Sequence, residues 1–164
     1  MPKVALVMGS KSDWQSLKGC VDVLHGMEIE VEAHVASAHR TPEKVASFAA
    51  NARENGFEVI IAAAGKAAHL AGVIAGHTTL PVIGIPVKSS FMDGLDSLLS
   101  TVQMPTGIPV ATVAVGGGDN AAYLAAQILS IKYPILTEKL LAHREKMAHA
   151  IEEDDRQIAK ECAD

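Results

Sequence analysis

Short apolar runs, each followed by a stretch with helical spacing, set the strongest constraint on this chain. Val4 to Met8, Val59 to Ala64, Pro81 to Val87 and Val110 to Val115 are nearly unbroken apolar segments of strand length. Strands that read this way are buried on both faces, which is the condition of a parallel sheet. Ile29 to Val35 alternates instead, with Glu30, Glu32 and His34 between apolar residues, and suits a strand nearer an edge with one wetter face. Between the runs, apolar residues recur at helical intervals. Trp14, Leu17, Val21 and Leu24 form one such set, and Val45, Phe48, Ala49 and Ala52 another. Gly26 is placed to stop the first helix, and Asn55-Gly56 ends the second. A short helix is expected over Leu70 to Ala75, another over Leu95 to Val102, and another from Ala121 to about Ser130. Five strands alternating with helices specify an α/β fold: a three-layer αβα arrangement around a five-stranded parallel sheet, with right-handed crossovers.

The 164 residues suit a single domain, 1–164, with an α/β core over 1–131 and a C-terminal helical segment over 132–164. A chain of this size buries roughly 70% of its unfolded surface and needs no disulfide or metal to hold it. From Pro134 to about Ala159, Leu136, Leu140, Met147, Ile151 and Ile158 define a narrow apolar seam. A helix of about 26 residues reaches about 40 Å, more than a small sheet covers, so part of it is expected to pack on a neighbouring subunit.

Composition narrows the function classes. Aromatic residues are 4% of the chain and the formal net charge is −5. Neither a stacking platform for single strands nor a basic footprint for nucleic acid is supported. Cys20 and Cys162 suggest no disulfide framework and no zinc site. No His-Glu-x-x-His, paired cysteines or acidic triad appears, so no metal site is expected. There is no membrane-span pattern and no signal-peptide layout, and a cytoplasmic protein is the expectation.

The chemistry-bearing residues gather at the strand ends, where ligands bind in open α/β sheets. Ser37-Ala38-His39-Arg40-Thr41-Pro42 joins the alternating strand to a helix. Thr41 can cap and Pro42 fits the first helical turn, which puts Ser37, His39 and Arg40 at a helix N-terminus suited to anions. His39 is the residue there best able to move a proton near neutral pH. From these residues alone, loop packing and catalysis stand level.

Gly9-Ser10-Lys11-Ser12-Asp13 offers Ser10 and Ser12 hydroxyls to a phosphate and Asp13 to a sugar diol. Gly65-Lys66-Ala67-Ala68-His69 lacks the spacing of a nucleotide-phosphate loop. Here His69 can orient a substrate carboxylate, or simply pack under a loop. Gly116-x-Gly118-x-x-Ala121 formally fits a dinucleotide fingerprint but follows the last strand. It reads as a close backbone approach to a ligand or a neighbouring subunit. His25 and His34 are expected on the surface and His77 in a turn.

Five motifs occur together and in order: Gly9-Ser10-Lys11-Ser12-Asp13-Trp14, Ser37-Ala38-His39-Arg40-Thr41-Pro42, Ala67-Ala68-His69-Leu70, Asp96-Ser97-Leu98-Leu99-Ser100 and Val102-Gln103-Met104-Pro105. Across nearly its whole length the chain resembles the N5-carboxyaminoimidazole ribonucleotide mutases of bacterial purine synthesis. The resemblance implies a flavodoxin-like fold, a homo-octamer, and a reaction without metal, nucleotide or organic cofactor. It implies that Ser10, Asp13 and Arg40 bind the ribotide substrate and that His39 is the general acid and base. Ser12, Ser37, Lys66 and His69 join them as candidate substrate contacts, and Ser89 to Gly94 is a candidate lid. It also implies functional coupling to the ATP-dependent synthetase that makes the N-carboxylated ribotide. Two alternatives are a carboxylase of the same ribotide using free carbon dioxide and a nucleotide-binding module without turnover. The chain departs from the pattern at Lys66, where many members have a second glycine, and at Ala71, where many have proline.

Overall fold

Backbone pairing turns the apolar runs into one sheet. In the computed structural model, which describes residues 1–163, β1 (Lys3–Met8), β2 (Glu30–Val35), β3 (Val59–Gly65), β4 (Val82–Val87) and β5 (Ala111–Thr112) form a five-stranded sheet in the order β2-β1-β3-β4-β5. All four pairings are parallel. The alternating strand is an edge strand, and β1 and β3 lie inside.

Both faces are covered, which is why the central strands carry no polar position after Lys3 at the start of β1. Val4, Leu6, Met8, Ile61 and Ile83 point to one layer, where α1 (Trp14–Gly26), α5 (Gly118–Ser130) and the start of α6 (Pro134–Glu161) meet them. Ala5, Val7, Ile60 and Val82 point to the other, against α2 (Pro42–Asn51) and α3 (Leu70–His77). Each large aliphatic side chain so enclosed contributes about 1.5–3 kcal/mol. Small residues set the closest approaches. A Cβ on Gly84 in β4 would stand 2.9 Å from Val110 Cγ1 and would collide with Thr101 of α4 (Leu95–Val102).

Several local expectations change. β5 spans only Ala111–Thr112 rather than Val110 to Val115. Val113 N still donates to Gly84 O at 3.1 Å and Gly116 N to Pro86 O at 2.9 Å. Pro86 therefore turns its carbonyl toward β5 but has no N–H to offer there, and the ladder stops. The first helix ends at Gly26 as expected, but the left-handed residue that follows is Glu28, at φ 59°. α3 runs on to His77, which therefore lies in its last turn. Within Gly116 to Ala121, Gly118 seats α5 on α1, where a Cβ would be 3.4 Å from Cys20 Cβ. His34 is half-buried, its ring 5.0 Å from that of Phe48 and 6.3 Å from that of Phe57. α6 extends to Glu161; Leu136 is buried and Leu140 packs on the core, whereas Met147, Ile151 and Ile158 are exposed. Burial pushes the Cys20 thiol up to about 12, with the Asp119 charge adding to it, and such a thiol is inert. Among the described residues no helix is long and apolar enough to cross a membrane.

Candidate active site

The carboxyl ends of β1, β2, β3 and β4 enclose a cavity of about 650 Å³. All eight residues singled out in the sequence line it: Ser10, Ser12, Asp13, Ser37, His39, Arg40, Lys66 and His69. A larger cavity, about 970 Å³, lies at the opposite end of the sheet around Arg53, Thr79 and Ile108. None of those eight residues reaches it.

After β1, Gly9 N continues the sheet by donating to Ala63 O at 3.0 Å. The chain then enters a single 3-10 turn, Lys11–Asp13, capped by Ser10. Ser10 Oγ accepts from Ser12 N at 3.3 Å and from Ser12 Oγ at 2.9 Å. Burial raises the Asp13 carboxyl above its ordinary range, while the backbone N–H of Ser10 and the Arg40 charge pull it down. Ser10 thus caps the turn through the Ser12 N–H, and Asp13 N donates to Ser10 O at 3.1 Å. Two hydroxyls and one carboxylate are thereby fixed at the cavity wall.

The loop after β2 holds itself. Thr41 Oγ1 accepts from Ser37 N at 2.9 Å and donates to Ser37 O at 3.0 Å. Thr41 therefore closes this turn rather than capping α2, whose first position is Pro42 as expected. Ser37 Oγ accepts from Arg40 N at 3.2 Å and Arg40 Nε at 3.4 Å. Arg40 Nη2 donates to Gly9 O at 2.8 Å. Nη1 of the guanidinium remains for a ligand, already aimed by the other contacts.

The residues after β3 supply the second imidazole. His39 Nε2 and His69 Nδ1 are 2.9 Å apart, with the rings nearly perpendicular at 76°. One proton lies between these nitrogens, and His39 Nδ1 is left for the cavity. Lys66 adopts φ 55°, a left-handed conformation that costs a non-glycine residue roughly 1–2 kcal/mol. Glycine would adopt this conformation without that cost. Ala64, Gly65 and Ala67 line the wall beside it; Ala68 is buried behind.

After β4, Lys88 and Ser89 also line the cavity. Lys88 was not singled out in the sequence, where it is one lysine in a polar loop. Its Nζ is 3.0 Å from Asp93 Oδ1, and Ser89 Oγ donates to Phe91 O at 2.7 Å or to Asp96. Met92, Asp93 and Gly94 are all left-handed, at φ 52°, 56° and 100°, so the candidate lid is strained where it turns into α4. Arg40, Lys66 and Lys88 outnumber the carboxylates of Asp13 and of Asp93, which pairs with Lys88, and give the cavity a positive balance suited to an anionic ligand. Among the described residues no group of three or more His, Cys, Asp or Glu is placed to hold a metal ion.

Comparison with known proteins agrees with this geometry. Residues 3–150 match the family model described as AIR carboxylase. The chain is 58% identical over 147 residues to the N5-carboxyaminoimidazole ribonucleotide mutase of Pyrococcus abyssi, covering 90% of this chain and 84% of that protein. It is 54% identical over 151 residues to the enzyme of the same name from Saccharolobus solfataricus, covering 92% and 96%. Among solved structures, Treponema denticola PurE superposes with a TM-score of 0.86 at 30% identity, over 96% of this chain and 98% of that one. The flavodoxin-like arrangement, the ordered strand-end motifs and these relatives lead to one conclusion: the chain belongs to the AIR carboxylase family.

Proposed function

We propose that this chain is an isomerase that moves the carboxylate of N5-carboxyaminoimidazole ribonucleotide from the exocyclic nitrogen to ring carbon 4, a step of purine synthesis. Relatives at 58% and 54% identity carry that activity in their names. The observation that carries the mechanism is the His39–His69 pair at 2.9 Å in the cavity wall.

In the starting state His39 is an imidazolium. Its Nε2–H donates to Nδ1 of a neutral His69, and its Nδ1–H faces the substrate. Transfer of the Nδ1 proton to the exocyclic nitrogen lets the N–C bond of the carbamate break, its electron pair going to nitrogen and carbon dioxide leaving. The ring carbon, made electron-rich by the freed amine, attacks carbon dioxide before it escapes. The proton on that carbon then returns to His39 Nδ1, restoring both the aromatic ring and the imidazolium. One ring nitrogen thus serves as acid and then base, and His69 keeps its own proton on Nε2 throughout.

Arg40 and the Ser10 and Ser12 hydroxyls would hold the phosphate, Asp13 the ribose diol, and Lys66 the migrating carboxylate, with Ser37 aiming Arg40. The small wall of Gly65 and Ala67 leaves room for carbon dioxide. A homo-octamer, a cytoplasmic location and coupling to the ATP-dependent synthetase complete the reading.

An ultraviolet assay for the carboxylated imidazole tests it. The mutase converts the N-carboxylated ribotide at low bicarbonate. Turnover only of aminoimidazole ribotide at high carbon dioxide would make the chain a carboxylase, and ribotide binding without turnover would make it a binding module.

A further inference from the structure

Strand order divides the charge of the cavity. The loops after β1 and β2 carry Ser10, Ser12, Asp13 and Arg40, and the Arg40–Gly9 hydrogen bond joins them. The loops after β3 and β4 carry Lys66 and Lys88. Gly65 and Val87 are the last partners of the β3–β4 ladder, and each lysine is the next residue along its chain. Neighbouring strands lie about 4.8 Å apart, so the two lysines leave the sheet side by side. Lys88 stands two strand spacings, about 10 Å, from the loop after β1. The anion nearest to it is therefore one held by Lys66, not one held by Ser10, Ser12 and Arg40.

Lys66 has no ion-pair partner among the described residues. Lys88 has one, Asp93, with Nζ 3.0 Å from Oδ1. The two side chains are 71% and 83% exposed, and a pair so open to water is worth little. Lys88 can exchange it for another carboxylate at small cost. Its stem is fixed while its head is free. The buried Ser97 Oγ lies 2.8 Å from Val87 O and 2.9 Å from Gly94 O. A Cβ on Gly94 would be 3.3 Å from Lys88 Cα, so the end of the lid sits directly on the Lys88 backbone. Asp93 is left-handed between Met92 and Gly94, which are left-handed too, and this strained turn presents its carboxylate to Lys88.

We propose that Lys88 is a specificity-determining residue: it leaves Asp93 and joins Lys66 on the carboxylate of the bound ribotide, so that the site selects carboxylated ribotides over aminoimidazole ribotide. Asp93 is the counter-ion that parks Lys88 while the site is empty, because like charges on adjacent strands repel. A carboxylate between the two ammonium groups removes that repulsion and takes over from Asp93. The inference rests on the isomerase reading for the identity of the ligand, and it names the residue that tells a carboxylated ribotide from its uncarboxylated counterpart.

Calorimetric titration of the full chain with 4-carboxy-5-aminoimidazole ribotide and with aminoimidazole ribotide tests it. The two ligands share ribose and phosphate and differ by the carboxylate. The titrations are run at about 0.15 M salt, where exposed charges more than about 8 Å apart are largely screened. Lys88→Gln should weaken binding of the carboxylated ribotide about tenfold, the scale of one hydrogen bond to a charged group. It should change affinity for aminoimidazole ribotide less than about twofold, because the shared phosphate lies beyond that screening distance. Lys88→Arg should restore most of the selectivity. Asp93→Asn removes the competing charge with a residue that tolerates the left-handed conformation, and should tighten the carboxylated ribotide about two- to threefold. Equal loss for both ribotides in Lys88→Gln, loss for neither, or weaker binding of the carboxylated ribotide in Asp93→Asn would overturn the proposal. Turnover separates the two readings. A chain that selects through Lys88 but never isomerises removes the isomerase alone, and full turnover with equal loss for both ribotides removes the role of Lys88 alone.

Discussion

Arg40 Nη2 donates to the backbone carbonyl of Gly9 across 2.8 Å, tying the loop after the edge strand to the loop after its inner neighbour. The same guanidinium is held at Nε by Ser37. Arg40→Met should raise KM by tenfold or more, the scale set by a hydrogen bond to a charged group of about 1.5–3 kcal/mol, with a smaller effect on kcat. Arg40→Lys should recover only part of this, because an ammonium lacks the fork that engages two partners at once. Steady-state kinetics on the N-carboxylated ribotide measure both.

The imidazole pair predicts a graded response. His39→Asn removes the proton carrier and should lower kcat by about 10²–10⁴. His69→Ala leaves His39 Nε2 without its acceptor and should lower kcat about tenfold with KM little changed, since the lost bond serves the imidazolium rather than substrate binding. If His39→Asn retained full turnover, the proton-transfer assignment would fail.

Lys66 sits where glycine is at ease. Relief of left-handed strain worth roughly 1–2 kcal/mol is offset in part by glycine's unfolded-state entropy of about 0.5–1 kcal/mol. Lys66→Gly should therefore stabilise the chain by up to about 1 kcal/mol, raising Tm by about 2–4 °C. KM should rise in the same variant if the ammonium holds the carboxylate. Calorimetry and kinetics on one sample read the two effects independently.

Glu58 links the body to the segment before α6. Lys132 Nζ lies 2.7 Å from Oε2, and the Tyr133 hydroxyl donates to Oε1 at 2.7 Å. Burial raises the Glu58 carboxyl, but these two hydrogen bonds outweigh it and the net shift is downward from 4.5. A carboxyl depressed by folding adds stability above its unfolded value and loses it as pH falls through its folded value. Glu58→Gln should thus melt lower than the parent near neutral pH, and the gap should close as pH drops below 4.5. Thermal scans across that range measure it.

The sheet and the wall of the site were legible because both depend on local rules. Unbroken apolar runs mark strands covered on two faces, and the alternation in Ile29 to Val35 marks an edge. Polar residues after those runs then share one end of the sheet. What the sequence hid depends on juxtaposition. His39 and His69 follow β2 and β3, which have β1 between them, so their hydrogen bond exists only once the strand order is known. The early end of β5 depends on which way Pro86 faces. Gly118 could not be assigned to a helix contact before α1 lay beside α5, and Lys88 gained its place only when β4 was set next to β3.

Strand β2 is bonded on one side alone, to β1, whereas β3 is clamped between two neighbours. His39, the proposed acid–base group, hangs from the first and His69 from the second. Assembly of the imidazole pair can therefore be lost separately from the core. Fraying of the outer strand would part the imidazoles before the core is lost, so activity should fall at a lower temperature than global unfolding.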